Sequence, residues 1–226
     1  ILVIAAIFVG LFASGMIMTL WTCIPADLRL GYERSNPANI YLRTSEFNNE
    51  LIRAVGKWDG VKQTLGSSVQ TIRAYDVNNE LHKVTVQAVN NETWPVNHIQ
   101  VLDGQMPQKE GEAAIENYKL SDLGLRLGDT ITFKTSEGKK TNLTITGVVR
   151  DQSIGASDYS IVFIEPINVY IVEDSLKDLD MSEEWNMLRI VIDGDGNDED
   201  TIRQMAKTFA KRIEKLYTLE LSTLYF

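Results

Sequence analysis

The first charge in this sequence comes only at Asp27, because residues 1–26 contain no Lys, Arg, Asp, Glu or His. The run ILVIAAIFVGLFASGMIMTLW is apolar on every helical face, so as a helix it has no polar side to turn toward water. About 20 such residues, at 1.5 Å rise per residue, cross the roughly 30 Å hydrocarbon core of a bilayer. Its polar interruptions, Ser14 and Thr19, can bond back to carbonyls of their own helix. Gly10, Ala13 and Ser14 suit close helix packing, and Trp21 stands where an interfacial aromatic anchors a span. The pattern predicts a transmembrane helix over residues 1–24. A cleaved signal peptide fits less well, since the apolar region is too long and no basic segment precedes it. Lipoprotein processing at Cys23 would need small residues before the cysteine, where Trp21 and Thr22 stand. A buried core helix of this length would be unusual in a domain of about 200 residues.

The whole-chain averages therefore describe two materials. A hydrophobic content of 44% and a mean hydropathy of -0.12 combine an uncharged span with a water-facing remainder that carries the entire net charge of -9. That acidic balance argues against nucleic-acid binding. One Cys forms no internal disulfide, and His82 and His98 are the only histidines, so no structural zinc cluster is legible.

Beyond the span, residues 25–37 read as a charged juxtamembrane stalk, with Pro25 in its first turn, Gly31 along it and Asn36-Pro37 as a stop. Residues 39–42 read as a short strand, followed by a helix capped by Ser45 with Phe47, Leu51, Ile52 and Val55 on one face. Residues 69–76 and 81–88 alternate as strands around a hairpin turn at 77–80. Gly104, Pro107 and Gly111 punctuate the chain before a strand at 113–115 and a short helix near Ser121 that stops by Gly124. Gly128-Asp129 turns into a strand at 131–134, and residues 143–149 form the next. Strands are also expected at 161–164, 169–172 and 188–192, with a short helix starting at Glu173-Asp174. The last helix carries Ile202, Met205, Phe209, Ile213 and Leu216 at helical spacing, with acids at its start and Lys207, Lys211, Arg212 and Lys215 toward its end.

No catalytic constellation stands out. A Walker-type phosphate loop and a G-x-S-x-G elbow are both missing. Asp193, Asp195 and Asn197 open like a calcium loop, but Asp198 occupies the glycine position and Gln204 the final acidic one, so an acidic helix cap is the better reading. His82 in a strand and His98 in a loop have no ligand set beside them in the sequence, Ser157 reads as a loop residue, and no pair of carboxylates is singled out for acid–base work. Asn91-Glu92-Thr93 and Asn142-Leu143-Thr144 are glycosylation sequons of a kind that chance often supplies.

The ordered set Gly104-Gln-Met-Pro107-Gln-Lys-Glu-Gly111-Glu112-Ala113-Ala114-Ile115, then Leu123-Gly124-Leu125, Gly128-Asp129-Thr130-Ile131 and Ile145-Thr146-Gly147-Val148-Val149, resembles the extracytoplasmic region of MacB/FtsX-type ABC transporter permeases. The resemblance covers essentially the whole chain. It implies an α+β fold: an N-terminal transmembrane helix, then an extracytoplasmic porter-like βαβ domain with an inserted small β-rich, sabre-like subdomain. On that reading residues 38–100 are the first porter half, 101–157 the sabre-like insert and 158–226 the second porter half, with the chain cut before a second membrane span. The resemblance further implies a non-catalytic permease subunit in the cell membrane, extracytoplasmic after about residue 25. Its partners would be a cytoplasmic ABC ATPase chain, a second permease copy, the lipid bilayer and an extracytoplasmic adaptor or substrate protein. No cofactor, metal or catalytic residue is transferred. ATP hydrolysis in the partner would move the stalk and the outer domain to drive extrusion or lipoprotein release. A single-pass, membrane-anchored binding or sensor domain without ATPase coupling is the alternative.

Overall fold

The computed structural model describes residues 7, 9–19, 21, 34–89, 94–151, 167–194, 198–217 and 221–225. Residues 9–19 are helical with exposed apolar side chains, among them Leu11, Phe12 and Met18. The Ser14 and Thr19 hydroxyls donate to the carbonyls of Gly10 and Gly15, each at 2.8 Å. Among the described residues no helix is long and apolar enough to cross a membrane. Pro25, Gly31, Cys23, Asn91, Ser157, Asp195, Asn197 and the strand expected at 161–164 lie outside the described residues.

In chain order the folded part runs β1 (Ile40–Phe47), α1 (Asn49–Val55), β2 (Val61–Tyr75), β3 (Leu81–Val89), β4 (Ile99–Gly104), β5 (Glu112–Glu116), α2 (Asn117–Leu120), β6 (Thr130–Lys134), β7 (Lys140–Asp151), β8 (Ile167–Val172), β9 (Trp185–Ile192), α3 (Glu199–Tyr217) and β10 (Leu221–Tyr225). One 3-10 turn follows α2 and two follow β8. The cap of α1 is Asn48, whose side chain accepts from the Glu50 N–H at 2.9 Å. Ser45 and Phe47 instead continue β1, where an irregularity between Arg43 and Phe47 leaves Ser45 and Glu46 both exposed and returns Phe47 to the buried face, paired with Trp185. In α3 the buried stripe comprises Ile202, Ala206, Phe209, Ala210 and Ile213, while Leu216 in the last turn is exposed. Asp198 caps it, taking both the N–H and the hydroxyl of Thr201.

Two lobes share one strand. In the first, the order is β10-β1-β9-β2, with β1 and β2 both antiparallel to β9 and so parallel to each other. This is a split βαβ arrangement. One face of the sheet is closed by α1 and α3 through Ile40, Leu42, Leu51, Val55, Leu188, Ile190, Phe209 and Ile213. In the second lobe the strands pair as β2-β3-β8-β5-β7-β6 and return to β2, a closed six-stranded ring. Strands of this ring come from all three of the segments 38–100, 101–157 and 158–226. Its interior is filled by Ile72, Val84, Val86, Ile115, Ile131, Phe133, Leu143, Ile145 and Val169, and closure leaves the ring no internal edge.

Strand β2 belongs to both lobes: Val61 to Ser67 pair with β9, and Ser68 to Tyr75 pair with β3. At the handover the Asn186 carboxamide acts as a substitute strand, accepting from the Val69 N–H at 2.8 Å and donating to its carbonyl at 3.1 Å. Asn186→Ala strips both partners from a part-buried peptide, so we expect a loss of about 1–3 kcal/mol in urea unfolding followed by tryptophan fluorescence. A stability equal to wild type would remove Asn186 from this role.

Candidate functional site

The residues singled out in the sequence fall into three places. Trp21 is helical and highly exposed, and Pro25 and Gly31 are not described. The remaining eight are Gly104, Pro107, Gly111, Glu112, Gly124, Gly128, Asp129 and Gly147. Most of these converge on one short stretch of β7. Thr146 bulges there, since β5 pairs Ala113 with Ile145 and then Ala114 with Gly147. The Thr144 N–H donates to the Gly111 carbonyl (2.8 Å), the Ile145 N–H to the Asp129 carbonyl (2.9 Å), the Gly128 N–H to the Ile145 carbonyl (2.8 Å) and the Gln105 N–H to the Thr146 carbonyl (2.8 Å). Asp129 also accepts from the Arg126 N–H, and Glu112 from the Gln108 N–H. A Cβ on Gly147 would lie 2.3 Å from the Gln105 oxygen, and one on Gly104 (φ 72°) 2.2 Å from that of Thr146. Gly124 (φ 67°) lies instead under Val77 of the β2–β3 turn. These residues form a structural knot, with no side chain placed for chemistry.

The second place is the base, where the folded part begins. β1 starts beside the end of β10, with Tyr41 opposite Tyr225. Three asparagines hold the incoming chain. Asn36 (φ 47°) donates its carboxamide to Gln63 Oε1 at 3.0 Å and the Pro95 carbonyl at 2.7 Å. Buried Asn97 (φ 55°) accepts from the Ala38 N–H at 2.8 Å and donates to the Tyr41 hydroxyl at 2.8 Å. Asn39 accepts from the Ile192 N–H at 3.0 Å. The Asn97 and His98 N–H groups donate to the carbonyls of Asn36 and Ser35. Residues 35–39 are thereby clamped to the loop that leads into β4. Asn and Asp tolerate the left-handed region better than other non-glycine residues, which is why asparagine serves at both turns.

Above the clamp, the sheet face opposite the helices is covered by the ring through Leu65, Trp94, Val96, Ala114, Val149, Tyr170 and Val191. Arg189 of β9 is buried in this joint. Its Nη2 donates to Gln87 Oε1 at 2.7 Å, and its guanidinium lies 5.6 Å from the Trp94 ring centre. Trp94 meets Tyr170 edge-on at 5.4 Å. The Tyr170 hydroxyl donates to Asp151 Oδ2 at 3.1 Å, and the Asp151 N–H donates to Glu116 Oε2 at 3.0 Å. A strand pattern dominated by apolar residues hid Arg189 from sequence reasoning.

The third place is the far end of β2, about 45 Å along the strand from its start. His82, which has no ligand set in the linear sequence, here lies 3.2 Å from Asp76 Oδ2, and the ligand atoms of Asp76, Glu80 and His82 all fall within 4.8 Å of one another. The hairpin brings together what the sequence separates. The signal was the D-x-x-x-E-x-H spacing across a turn already expected there.

No protein-family model and no curated protein matches the sequence. Among solved structures, the extracellular domain of a noncanonical ABC-type transporter, YknZ, from Gram-positive bacteria matches with a TM-score of 0.54 at 16% identity, over 81% of this chain and 98% of that one. The chain has the fold of that extracellular domain. The periplasmic region of MacB from Actinobacillus actinomycetemcomitans matches with a TM-score of 0.48 at 11% identity, over 79% of this chain and 86% of that one. The YknZ match gives the outer domain the mixed α/β, large-sheet fold that the sequence resemblance implied for it.

Within this fold the joint is built on buried charge and hydrogen bonding. Burial pushes the Arg189 guanidinium below the usual arginine range, and nearby Tyr41 and Asp151 pull the other way. Burial first, then the charges of Asp151 and Glu116, hold the Tyr170 phenol well above its usual value. No activated nucleophile faces this network among the described residues. The arrangement serves to hold two lobes in one relation.

Two outcomes follow from this geometry. Gly104→Ala and Gly147→Ala drive a methyl into backbone oxygen and should each lower stability by about 2–4 kcal/mol. Gly138→Ala, at φ 82° with nothing within 4 Å, should lose only about 1 kcal/mol. Thermal unfolding of the three variants checks the order, and equal losses would refute the close-approach explanation. For Tyr170, the folded state keeps the proton where an unfolded tyrosine releases it, near pH 10. Its contribution is therefore complete at neutral pH and declines as pH rises from about 10 toward the raised folded value, at up to about 1.4 kcal/mol per pH unit. Tyr170→Phe should flatten that alkaline decline in urea titrations at about pH 9 and about pH 11. An unchanged slope would count against the assignment.

Proposed function

We propose that this chain supplies the outer domain and first membrane helix of an ABC transporter permease subunit. Residues 1–24 form the span, 25–37 the stalk, and the rest stands outside the membrane. A separate cytoplasmic chain hydrolyses ATP, and the permease works with a second copy. The carrying observation is the fold match over 98% of the YknZ extracellular domain. Two features support it: an uncharged run of 26 residues before the folded part, and a base at which β1 begins beside the end of β10. Motion of the span enters at Ser35 and divides at the asparagine clamp, one branch into the split βαβ lobe and the other through Asn97 into β4 and the ring. The output is work on a substrate outside the bilayer, such as extrusion or lipoprotein release. The subunit itself is non-catalytic.

The test uses the full-length protein in its native membranes, with Cys23→Ser and Asn79→Cys moving the thiol of these residues to the far turn, compared with the same protein carrying Cys23→Ser alone. A membrane-impermeant maleimide should label Asn79→Cys in intact cells, and an ABC-type ATPase should co-purify with the solubilised protein. Labelling only after lysis would overturn the outward placement. Labelling without an associated ATPase would select the anchored binding or sensor domain instead.

A further inference from the structure

The cluster at the far hairpin is not used by the mechanism above. Asp76 closes the turn: its N–H donates to the Glu80 carbonyl at 3.0 Å, and its Oδ1 accepts from the N–H groups of Asn78 (2.9 Å) and Glu80 (2.7 Å). That fixes the carboxylate and aims the other oxygen, Oδ2, at His82 Nε2, 3.2 Å away. The Asp76 side chain is only 6% exposed, against 33% for His82. His82 is itself fixed on β3, in register with Ala74 of β2. Glu80 adds a third donor within 4.8 Å of both.

Three features separate this group from an ordinary solvated acidic turn. First, the donors are mixed, one imidazole nitrogen and two carboxylates, the set that suits zinc-like cations rather than calcium or magnesium, which take oxygen. Second, the separation fits. Ligands at 2.0–2.1 Å from a tetrahedral ion stand about 3.3 Å apart, and the Asp76–His82 pair, a hydrogen bond when no ion is bound, stands at 3.2 Å, so an ion could replace that bond with little movement of either side chain. Third, the ligating carboxylate is oriented by its own hydrogen bonds, as outer-shell support requires.

We infer that Asp76, Glu80 and His82 form a binding site for a zinc-class divalent cation at the far end of the domain. Three protein ligands leave a fourth position open to water or to a donor from another molecule.

The experiment titrates zinc chloride into the full-length protein in lipid nanodiscs by calorimetry, with cobalt chloride as a spectroscopic probe of ligand geometry. Wild type should bind one Zn2+ with a dissociation constant in the micromolar range or tighter, and His82→Gln should weaken it by at least about tenfold. Glu80→Gln, at the exposed ligand, should weaken binding by a smaller factor, and His98→Gln should leave it unchanged. Asp76→Asn is avoided as the deciding variant because Asp76 also closes the turn. Circular dichroism of metal-free His82→Gln should match wild type, which separates ligand loss from misfolding. No saturable Zn2+ binding by wild type, equal affinity in His82→Gln, or loss of binding in His98→Gln would each overturn the assignment.

Discussion

Everything in this structure depends on the single strand β2 serving two sheets. Fifteen residues run from the base of the split βαβ lobe to the far turn, and neither lobe keeps its edge partner without it. A strand that changes neighbours must leave backbone groups unpaired at the change, at a cost comparable to a lost hydrogen bond for each buried group. Here side chains fill that gap. Asn186 serves both polar groups of Val69, Arg43 also donates to the Val69 carbonyl, and the Gln70 carboxamide exchanges two hydrogen bonds with the backbone of Ser182. The two lobes meet through hydrogen bonds of fixed direction at this point, which restrains one from sliding freely on the other.

The same logic explains why the interior between the lobes is polar at its centre. An apolar seam would tolerate several packings of similar energy, whereas Arg189 must meet Gln87 and lie near Trp94 together. Buried ionic groups contribute little net stability, but they penalise alternative registers in some systems. The Tyr170–Asp151–Glu116 chain extends this discrimination into β5, β7 and β8.

Most of the secondary structure was legible because it obeys local periodicity. The hairpin at 77–80, the strand into Lys134 and the acidic cap of α3 are found where alternation and turn chemistry placed them. The errors lie where tertiary context decides. Ser45 looked like a cap because a polar residue precedes an apolar helix face, but Arg43, Ser45 and Glu46 are polar positions within β1, which ends at Phe47. Strand β10 went unread, since its five residues gain their meaning only from pairing with β1. Ring closure was equally invisible, because it depends on β6 reaching both β2 and β7. For the site, glycine order was readable and glycine purpose was not. That the loops of Gly104, Gly111 and Gly128 meet at one bulge is a long-range fact. The Asp76–Glu80–His82 group shows the same limit at short range, since its donors face each other only once the hairpin closes.

The glycine knot has a mechanical consequence for the domain. Where two backbones approach without side chains between them, no rotamer change can absorb a displacement, and small-residue contacts transmit strain directly. Strand β4 leaves the asparagine clamp at Ile99 and reaches the knot at Gly104, where it meets Gly147 of β7. Strand β7 in turn pairs with β5 and β6, and the ring they belong to has no internal edge along which to open. A displacement applied at Ser35 therefore reaches the ring through Asn97 and β4 with few soft elements between. The closed ring, tied to the other sheet by the directed hydrogen bonds of Asn186 and Gln70, resists both deformation and displacement relative to the split βαβ lobe.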